Sequence, residues 1–552
     1  MTSPKLDNLR RWASSPNFWA GVVLGTILIL ACFYNLPNYP TIWWDEAIFS
    51  ETAANLVQQG RYAFTVQSPD QLADLDFRIS VGPAVILPVA LAYKLLGVGV
   101  ISGRLVAGAY LIFTFGALFF VARRLWGVSA ALGAVALALF GTDVLYWGRS
   151  VLGDIPALGL FLCGLYFILR GLEEVSNLPL FLGGLFLGLA FAAKEFYGLT
   201  FIPPLVVLLR QNWGNWRRLG GRVLCYSIGV AIPVLDYLAL KVVILGSLTA
   251  AVEHFLHQKL LLRHEFFTPF TIGRLYPESV AFLLGHPLFW LGVLGSWMLW
   301  RRGQLTLGAK LWIGNFFLWS LVYLTAVYWY RFALPALFLA SPLAAYFLLQ
   351  GVGRLVAVLS SRPPRWLAPG ILAAFFLLLY PLPGADIMGA ILTRTANPPG
   401  SLVNYLRTHI PGKCLIETPE YELAFLDDDH RIHLIPPYFF IESTPDKVVL
   451  LNPQRQPYDF CKGKADYLIL GSFGKSVFKQ VYSPTQVARK WRKIAQVDFY
   501  DIYVRRRQGK AALPNVLARP LPVPDVKKLS LPLTPGPDPA KNQGKAKASH
   551  AQ

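Results

Sequence analysis

The 552-residue chain is 55% hydrophobic and only 15% charged, yet 51 Lys/Arg against 31 Asp/Glu leave it a net charge of +20. Charge this sparse argues against a water-soluble globule. The positive excess is no nucleic-acid groove either, because residues 505–552 alone hold ten Lys/Arg against two Asp, and much of the rest lies in short loops.

Apolar runs long enough to cross a ~30 Å hydrocarbon core recur from the N-terminus to about residue 384. The expected fold is mainly α, a polytopic transmembrane helical bundle. A chain of this length has ample buried surface without disulfides. Cys32, Cys163 and Cys225 fall in apolar spans as small hydrophobes, while Cys414 and Cys461 are free to pair if their region faces the outside.

Lys5, Arg10 and Arg11 precede the first apolar run at about 17–36. A signal peptide has the same layout, but ACFYNLPNYP offers a poor small-residue cleavage site. The run is read as an uncleaved helix with its N-terminus cytoplasmic, which places the loop after Leu36 outside. That loop begins WWDEAIFSETAANLVQQG. Phe49, Ala53, Leu56 and Val57 share one helical face, Glu51, Asn55 and Gln58 occupy others, and Gly60 closes the helix. A helix of about four turns lying on the membrane surface is expected. Asp45 and Glu46 occupy its N-terminal end, where the dipole favours carboxylates. Capping alone explains one such acid.

SVGPAVILPVALAYKLLG, residues 80–97, is short, holds Pro83 and Pro88, and carries Lys94. Counting it as a span would put Arg123 and Arg124 outside, so it is read as interfacial or re-entrant. Spans are then expected at about 17–36, 102–122, 128–146, 154–171, 178–194, 196–210, 222–245, 280–300, 309–328, 332–350 and 367–384. This makes about eleven, with two short helices turning at Lys194-Glu195. Internal loops hold Arg123/Arg124, Arg170, Arg210/Arg217/Arg218/Arg222, Arg301/Arg302/Lys310 and Arg354/Arg362/Arg365.

Residues beyond about 385 fall outside on this parity. The chain divides into a membrane part, 1–397, with juxtamembrane helices in 37–101, a small extracytoplasmic α/β domain, 398–507, and a disordered basic tail, 508–552. CLIET, KVVLL and DYLILG read as strands, SLVNYLRTHI and TQVARKWRKI as helices. Asp427–Asp429 with His430 reads as a solvated loop.

The external side collects the unusual residues. GRSVLGD ends in Asp154 at the mouth of the next span. Two external loops that both offer a carboxylate at a helix mouth suggest one shared, water-facing cavity, since ionisable groups at that depth are costly unless used or paired. Arg78, Lys194, His254, His257, Lys259, Arg263, His264 and Arg331 surround it in the expected topology. Acids with several cations suit an anionic, phosphate-bearing substrate. Equally, 248–265 reads as an amphipathic helix whose basic residues meet lipid head groups. His254 and His257 have an i, i+3 spacing, but no third metal ligand is evident.

In order and spacing, WWDEAIFSETAANLVQQG, GPAVILPVALAYKLLGVGVISGRLVAG, GRSVLGDIPALGLFL, LFLGLAFAAKEFYGLTFIPPLVVLL, the EH of AVEHFLHQK and RFALPALFLASPLAA resemble the GT-C superfamily of integral-membrane glycosyltransferases. The resemblance is to its protein O-mannosyltransferase and aminoarabinose-transferase (ArnT-like) group. It implies a sugar donor linked through phosphate to a polyprenyl lipid. It further implies inverting transfer to an acceptor hydroxyl, amine or phosphate group outside the membrane. By position, Asp45 matches the family's first-loop catalytic aspartate and Asp154 its second-loop aspartate, so that Asp45, Asp154 and the adjacent Glu46 are the expected catalytic acids, and Lys194 matches the family lysine. Arg78, Lys194, Lys259, Arg263, Arg331, His254 and His257 are the expected contacts of the donor phosphate. Two departures bear on specificity: RISVGPAV stands where aminoarabinose transferases carry Glu-Lys-Pro, and His257 stands where they carry arginine.

The expected partners are a polyprenyl-phosphate-linked sugar, a lipid, glycan or protein acceptor, and membrane lipids, with no nucleic acid. No cofactor is required, and paired acids alone would bind a divalent cation weakly. The rival classes are a lipid-linked sugar transporter or flippase and a non-catalytic membrane assembly protein. A transporter favours polar residues at mid-span and internal repeats. Here the ionisable residues cluster at one face, with Asp143 and Asp236 as partial exceptions.

Overall fold

The computed structural model describes residues 15–67, 71–76, 78–174, 176–265, 275–325, 329–359, 383–436, 440–444, 447–451 and 456–506, with the side chains of 257–265, 359 and 440–451 left aside. Its first helix, Pro16–Phe33, starts on a proline whose missing N–H costs nothing there. Trp19, Val23, Ile29 and Leu30 stay exposed on it, a surface suited to lipid rather than water. Among the described residues six helices are long and apolar enough to cross a membrane: Pro16–Phe33, Val100–Gly141, Asp154–Glu173, Trp216–Leu245, Leu307–Leu324 and the run Tyr330–Val358. The chain is a multi-pass membrane protein.

Two of the expected spans are reshaped for local reasons. Val100–Gly141 would be about 63 Å long if straight, twice a hydrocarbon core. It breaks at Gly127, whose φ of 86° a side chain would resist, so the expected spans 102–122 and 128–146 meet there. The expected span 280–300 is two helices, Pro277–Gly285 and Pro287–Arg301, bent by 67°. Pro287 removes a helical N–H, and the His286 ring caps the second helix by accepting from the Leu288 N–H. Together they make a seventh candidate span. Pro83–Leu96 is a 14-residue helix, too short to cross, and Leu178–Ala193 ends at Lys194, the expected turn. The expected span 367–384 lies outside the described residues except for its last two, and so does the tail 508–552.

Small residues let the central helices close up. A Cβ on Gly184 would sit 2.2 Å from the Tyr226 carbonyl oxygen, and one on Gly229 would sit 2.2 Å from that of Phe181. The Leu178–Ala193 and Trp216–Leu245 helices thus meet backbone to backbone, a packing common inside bilayers.

A seven-stranded sheet forms at one end of the bundle. Its strands are β1 (Ala63–Gln67), β2 (Gln71–Asp74), β3 (Leu415–Glu417), β4 (Arg431–His433), β7 (Tyr467–Leu470), β8 (Trp491–Val497) and β9 (Tyr500–Arg505), in the order β2-β1-β4-β3-β7-β9-β8. β3 runs parallel to β4 and β7, and the other pairs are antiparallel. β5 (Phe440–Thr444) and β6 (Lys447–Leu451) form a separate hairpin. CLIET, KVVLL and DYLILG supply strands, and Pro398–His409 is the expected helix.

Three expectations are corrected. TQVARKWRKI is helical only to Lys490, because Trp491 is buried against Phe460, Leu468 and Tyr482 and opens β8 beside β9. Asp427 and His430 leave the solvated loop to form a fully buried pair at 2.8 Å, with only Asp428 and Asp429 exposed. The pairing of Cys414 and Cys461, which the sequence leaves open, is not formed, and both are free thiols. Strands β1 and β2 come from the first external loop, so the C-terminal sheet crosses the boundary drawn at 397/398.

Candidate active site

The helix that follows the first span runs Trp44–Gln59 and stops where Gly60 takes a φ of 68°. Its bounds match the expected helix, but its surroundings do not. Every residue from Glu46 to Asn55 is buried, enclosed by Pro83–Leu96, β1 and the C-terminal helix Glu422–Leu426. The helix is packed on all sides by protein, and its polar side chains find protein partners. The Asn55 amide donates to Ala63 O and Thr65 Oγ1 at 3.0 and 3.1 Å. Glu46, expected beside Asp45, turns inward and takes two hydrogen bonds from Arg104, both 2.7 Å, with neither side chain more than 1% exposed. The pair ties the start of this helix to Val100–Gly141 and keeps Glu46 out of reach of a substrate.

Asp45, one residue earlier, points the other way and meets Arg331, Oδ2 to Nη1 at 2.7 Å. Arg331 sits in the 3₁₀ turn Tyr330–Ala333 at the head of the Leu334–Leu359 helix. Four aromatic rings wall its guanidinium: Trp43, Trp147, Trp329 and Phe332, at 5.0–5.7 Å from ring centre to Cζ. Trp147 is fixed in turn by donating to Asp143 Oδ2 at 2.5 Å. The second loop is anchored by Arg149, which donates to the carbonyls of Ala31, Tyr34 and Tyr39 at the end of the first helix.

Asp154 begins its helix as expected, but Lys194 holds both of its oxygens, each at 2.7 Å. Phe332 joins the two pairs, since Lys194 Nζ and Arg331 Cζ both lie 5.3 Å from its ring centre. Arg331 interacts electrostatically with both aspartates, and so does Lys194. Asp45, Arg331, Asp154 and Lys194 are one charge-balanced cluster. It lies at one end of the bundle. At the other end, about 26 Å along the Asp154–Glu173 helix, Arg222 donates to the Gly171 carbonyl and Arg124 meets Glu173.

Arg78 and His254, also expected at the donor phosphate, have other partners. Arg78 pairs with Asp76 at 2.6 Å, donates to Tyr421 Oη and Ile435 O, and lies 4.5 Å over Phe64. It stitches the first loop to the C-terminal region and does not join the cluster. The His254 ring meets the Leu75 carbonyl at 2.6 Å, and burial pushes its pKa below the usual histidine value. His257, Lys259 and Arg263 follow on the same helix, Leu248–Glu265, with side chains outside the described set. The loop reading missed a second buried pair, Lys241 Nζ to Glu195 Oε1 at 2.8 Å. Its signal was a lone lysine in the apolar run LALKVVIL. Lys194 and Glu195 therefore pin one turn to two different helices. No group of three His, Cys, Asp or Glu side chains among the described residues is arranged to hold a metal ion.

The helical bundle with its C-terminal sheet has a GT-C type fold, shared with the solved structures that follow. Residues 80–236 match the model of the dolichyl-phosphate-mannose-protein mannosyltransferase family. ArnT from Cupriavidus metallidurans, bound to undecaprenyl phosphate, shares the fold with a TM-score of 0.59 at 15% identity, over 92% of this chain and 100% of that one. Its apo state gives 0.55 at 16% identity, over 88% and 97%. The oligosaccharyltransferase AglB from Archaeoglobus fulgidus, in complex with an inhibitory peptide and a dolichol-phosphate, gives 0.53 at 10% identity, over 89% and 74%. Curated protein sequences offer no match.

Proposed function

We propose that the protein is an inverting glycosyltransferase that moves a sugar from a polyprenyl-phosphate donor to an acceptor on the extracytoplasmic face. The observation that carries this reading is the Asp45–Arg331 contact set beside Asp154–Lys194, at the end of the bundle away from the basic loops. The fold neighbours bound to undecaprenyl phosphate and dolichol-phosphate support a lipid-phosphate donor.

Exposure divides the roles of the two aspartates. Asp45 keeps 26% of its side chain open to solvent, whereas Asp154 keeps 5% and has both oxygens engaged by Lys194. Asp45 is the base. It accepts a hydrogen bond from the acceptor hydroxyl and takes its proton as the oxygen attacks the anomeric carbon. An alkoxide is too basic to exist free at neutral pH, so proton removal accompanies bond formation. The new bond forms on the face opposite the phosphate, whose C–O electron pair leaves with it.

Arg331 serves the leaving group. Its Nε has no hydrogen-bond partner among the described residues although the side chain is only 5% exposed. A buried cationic donor left open is costly until an anion completes it. The charge on the departing phosphate grows along the reaction, so this contact strengthens in the transition state. Asp154, held by Lys194, sets the electrostatic frame. The donor diffuses in the same bilayer as the site, which supplies proximity.

The test is transfer by the purified protein in lipid from polyprenyl-phosphate sugars. Asp45→Asn should lower the rate by about 10²–10⁴-fold. Transfer unchanged by Asp45→Asn refutes the assignment. Mass spectrometry of the glycans lost on deleting the protein identifies the product.

A further inference from the structure

Trp43 and Trp44 are adjacent, yet their rings serve different parts of the molecule. Trp43 belongs to the cage around Arg331, 5.3 Å from its Cζ and 5.6 Å from the Trp147 ring. Trp44 enters an aromatic socket in the C-terminal region. Phe473 meets it edge-on at 4.6 Å, Tyr421 tilts against it at 5.0 Å, and Phe478 closes the third side at 5.6 Å.

Each wall of the socket is held in place. Tyr421 also packs on Phe64 of β1 at 5.3 Å, and its hydroxyl accepts from Arg78 Nη1 at 2.7 Å. Phe473 sits in a turn whose N–H groups converge on one carboxylate: Gly471 and Gly474 donate to Glu420 Oε1 at 2.7 and 2.8 Å, and Phe473 donates to Oε2 at 3.3 Å. Phe478 is buried beside Phe460 and Tyr482. Expensive buried features of this kind, a carboxylate spent on three backbone donors, mark a place where position matters.

Asp45 is the next residue along the chain. Its backbone is therefore fixed from two sides, by the Trp43–Arg331 cage and by the Trp44 socket. We infer that Trp44, seated between Tyr421, Phe473 and Phe478, is a positioning residue through which the C-terminal region holds Asp45 against Arg331. The inference rests on the reading of Asp45 as the base. On this view the C-terminal region is a part of the transfer site, and the Glu420 staple reaches Asp45 through Phe473 and Trp44.

The experiment measures kcat and donor KM separately for Trp44→Ala, Trp44→Phe, Phe473→Ala and Asp45→Asn in lipid, with thermal melting of each variant. A misplacement of about 1 Å costs up to roughly 10²-fold in rate. Trp44→Ala is accordingly expected to lower kcat by about 10–10²-fold with donor KM within about twofold, and Trp44→Phe to restore most of the loss. A role limited to holding the fold would lower the melting temperature and leave the kcat of the folded fraction unchanged. If Trp44→Ala does not fold, Phe473→Ala decides, because it trims the socket and leaves Trp44 present. Loss of kcat supports the inference, and kcat equal to the unsubstituted protein's overturns it. Asp45→Asn separates the two readings: if it keeps full transfer, the base assignment fails. If it abolishes transfer while the socket variants keep full kcat, only the positioning role fails.

Discussion

Replacing Lys194 by methionine removes the only side chain that hydrogen-bonds Asp154 among the described residues and keeps most of the apolar stem. Both oxygens of a carboxylate 5% exposed then lose partners at 2.7 Å. Breaking a buried pair by deleting one member costs about 3–5 kcal/mol, because the survivor stays charged and desolvated. At roughly 2 °C per kcal/mol for a domain of a few hundred residues, the melting temperature should fall by about 6–10 °C. The double variant Lys194→Met/Asp154→Leu removes both charges at once and should recover most of the loss, since an apolar pair in place of a buried ion pair is neutral or better. The assay is thermal unfolding of the detergent-solubilised protein followed by tryptophan fluorescence. A single variant that melts with the unsubstituted protein, or a double variant that melts no higher than the single, refutes the claim that this pair is buried and tightly coupled.

Arg331→Lys keeps a charge near Asp45 but gives up the planar stack against four rings. Losing about 2 kcal/mol of desolvated cation–π contact should raise donor KM roughly 30-fold, measured in the transfer assay. Burial pushes the Glu51 carboxyl up from 4.5 to about 8, and its Oε2 has no partner among the described residues. Because the folded pKa lies above the unfolded one, its contribution is fully present below about pH 4.5 and is lost as pH rises to about 8, at up to about 1.4 kcal/mol per unit. Glu51→Gln should flatten that part of the melting-temperature profile, and an unchanged slope counts against it. Gly82→Ala places a Cβ 2.1 Å from the Ala192 carbonyl oxygen, beside the Gly82 N–H to Ala193 O bond of 3.1 Å. The backbones must part, so a destabilisation of about 1–3 kcal/mol is expected in the same melts.

Much of this molecule was legible from local pattern. Hydropathy placed the helices because a bilayer demands long apolar runs whatever they pack against. Glycine placed the end of the Trp44–Gln59 helix because only its backbone takes that left-handed turn freely. Loop order carried the resemblance to the GT-C glycosyltransferases, and it matched Asp45, Asp154 and Lys194 to family positions, whereas Arg331 was one of several basic residues expected at that face. Periodicity misjudged TQVARKWRKI, where helical spacing holds up to Lys490 and the burial of Trp491 then outweighs it.

Partner choice was not legible. Asp45 and Glu46 are neighbours of like charge, and nothing local tells which meets Arg331 and which meets Arg104. Arg78 looked like a phosphate ligand until Asp76, Tyr421 and Ile435 claimed it. Nor does any local signal tell that β1 and β2 complete a sheet begun after residue 414. A residue's own chemistry sets whether it needs a counter-charge, a cap or an apolar neighbour, and the chain spells that out in order. Which distant group meets the need depends on how the helices close on one another, and only the folded bundle sets that.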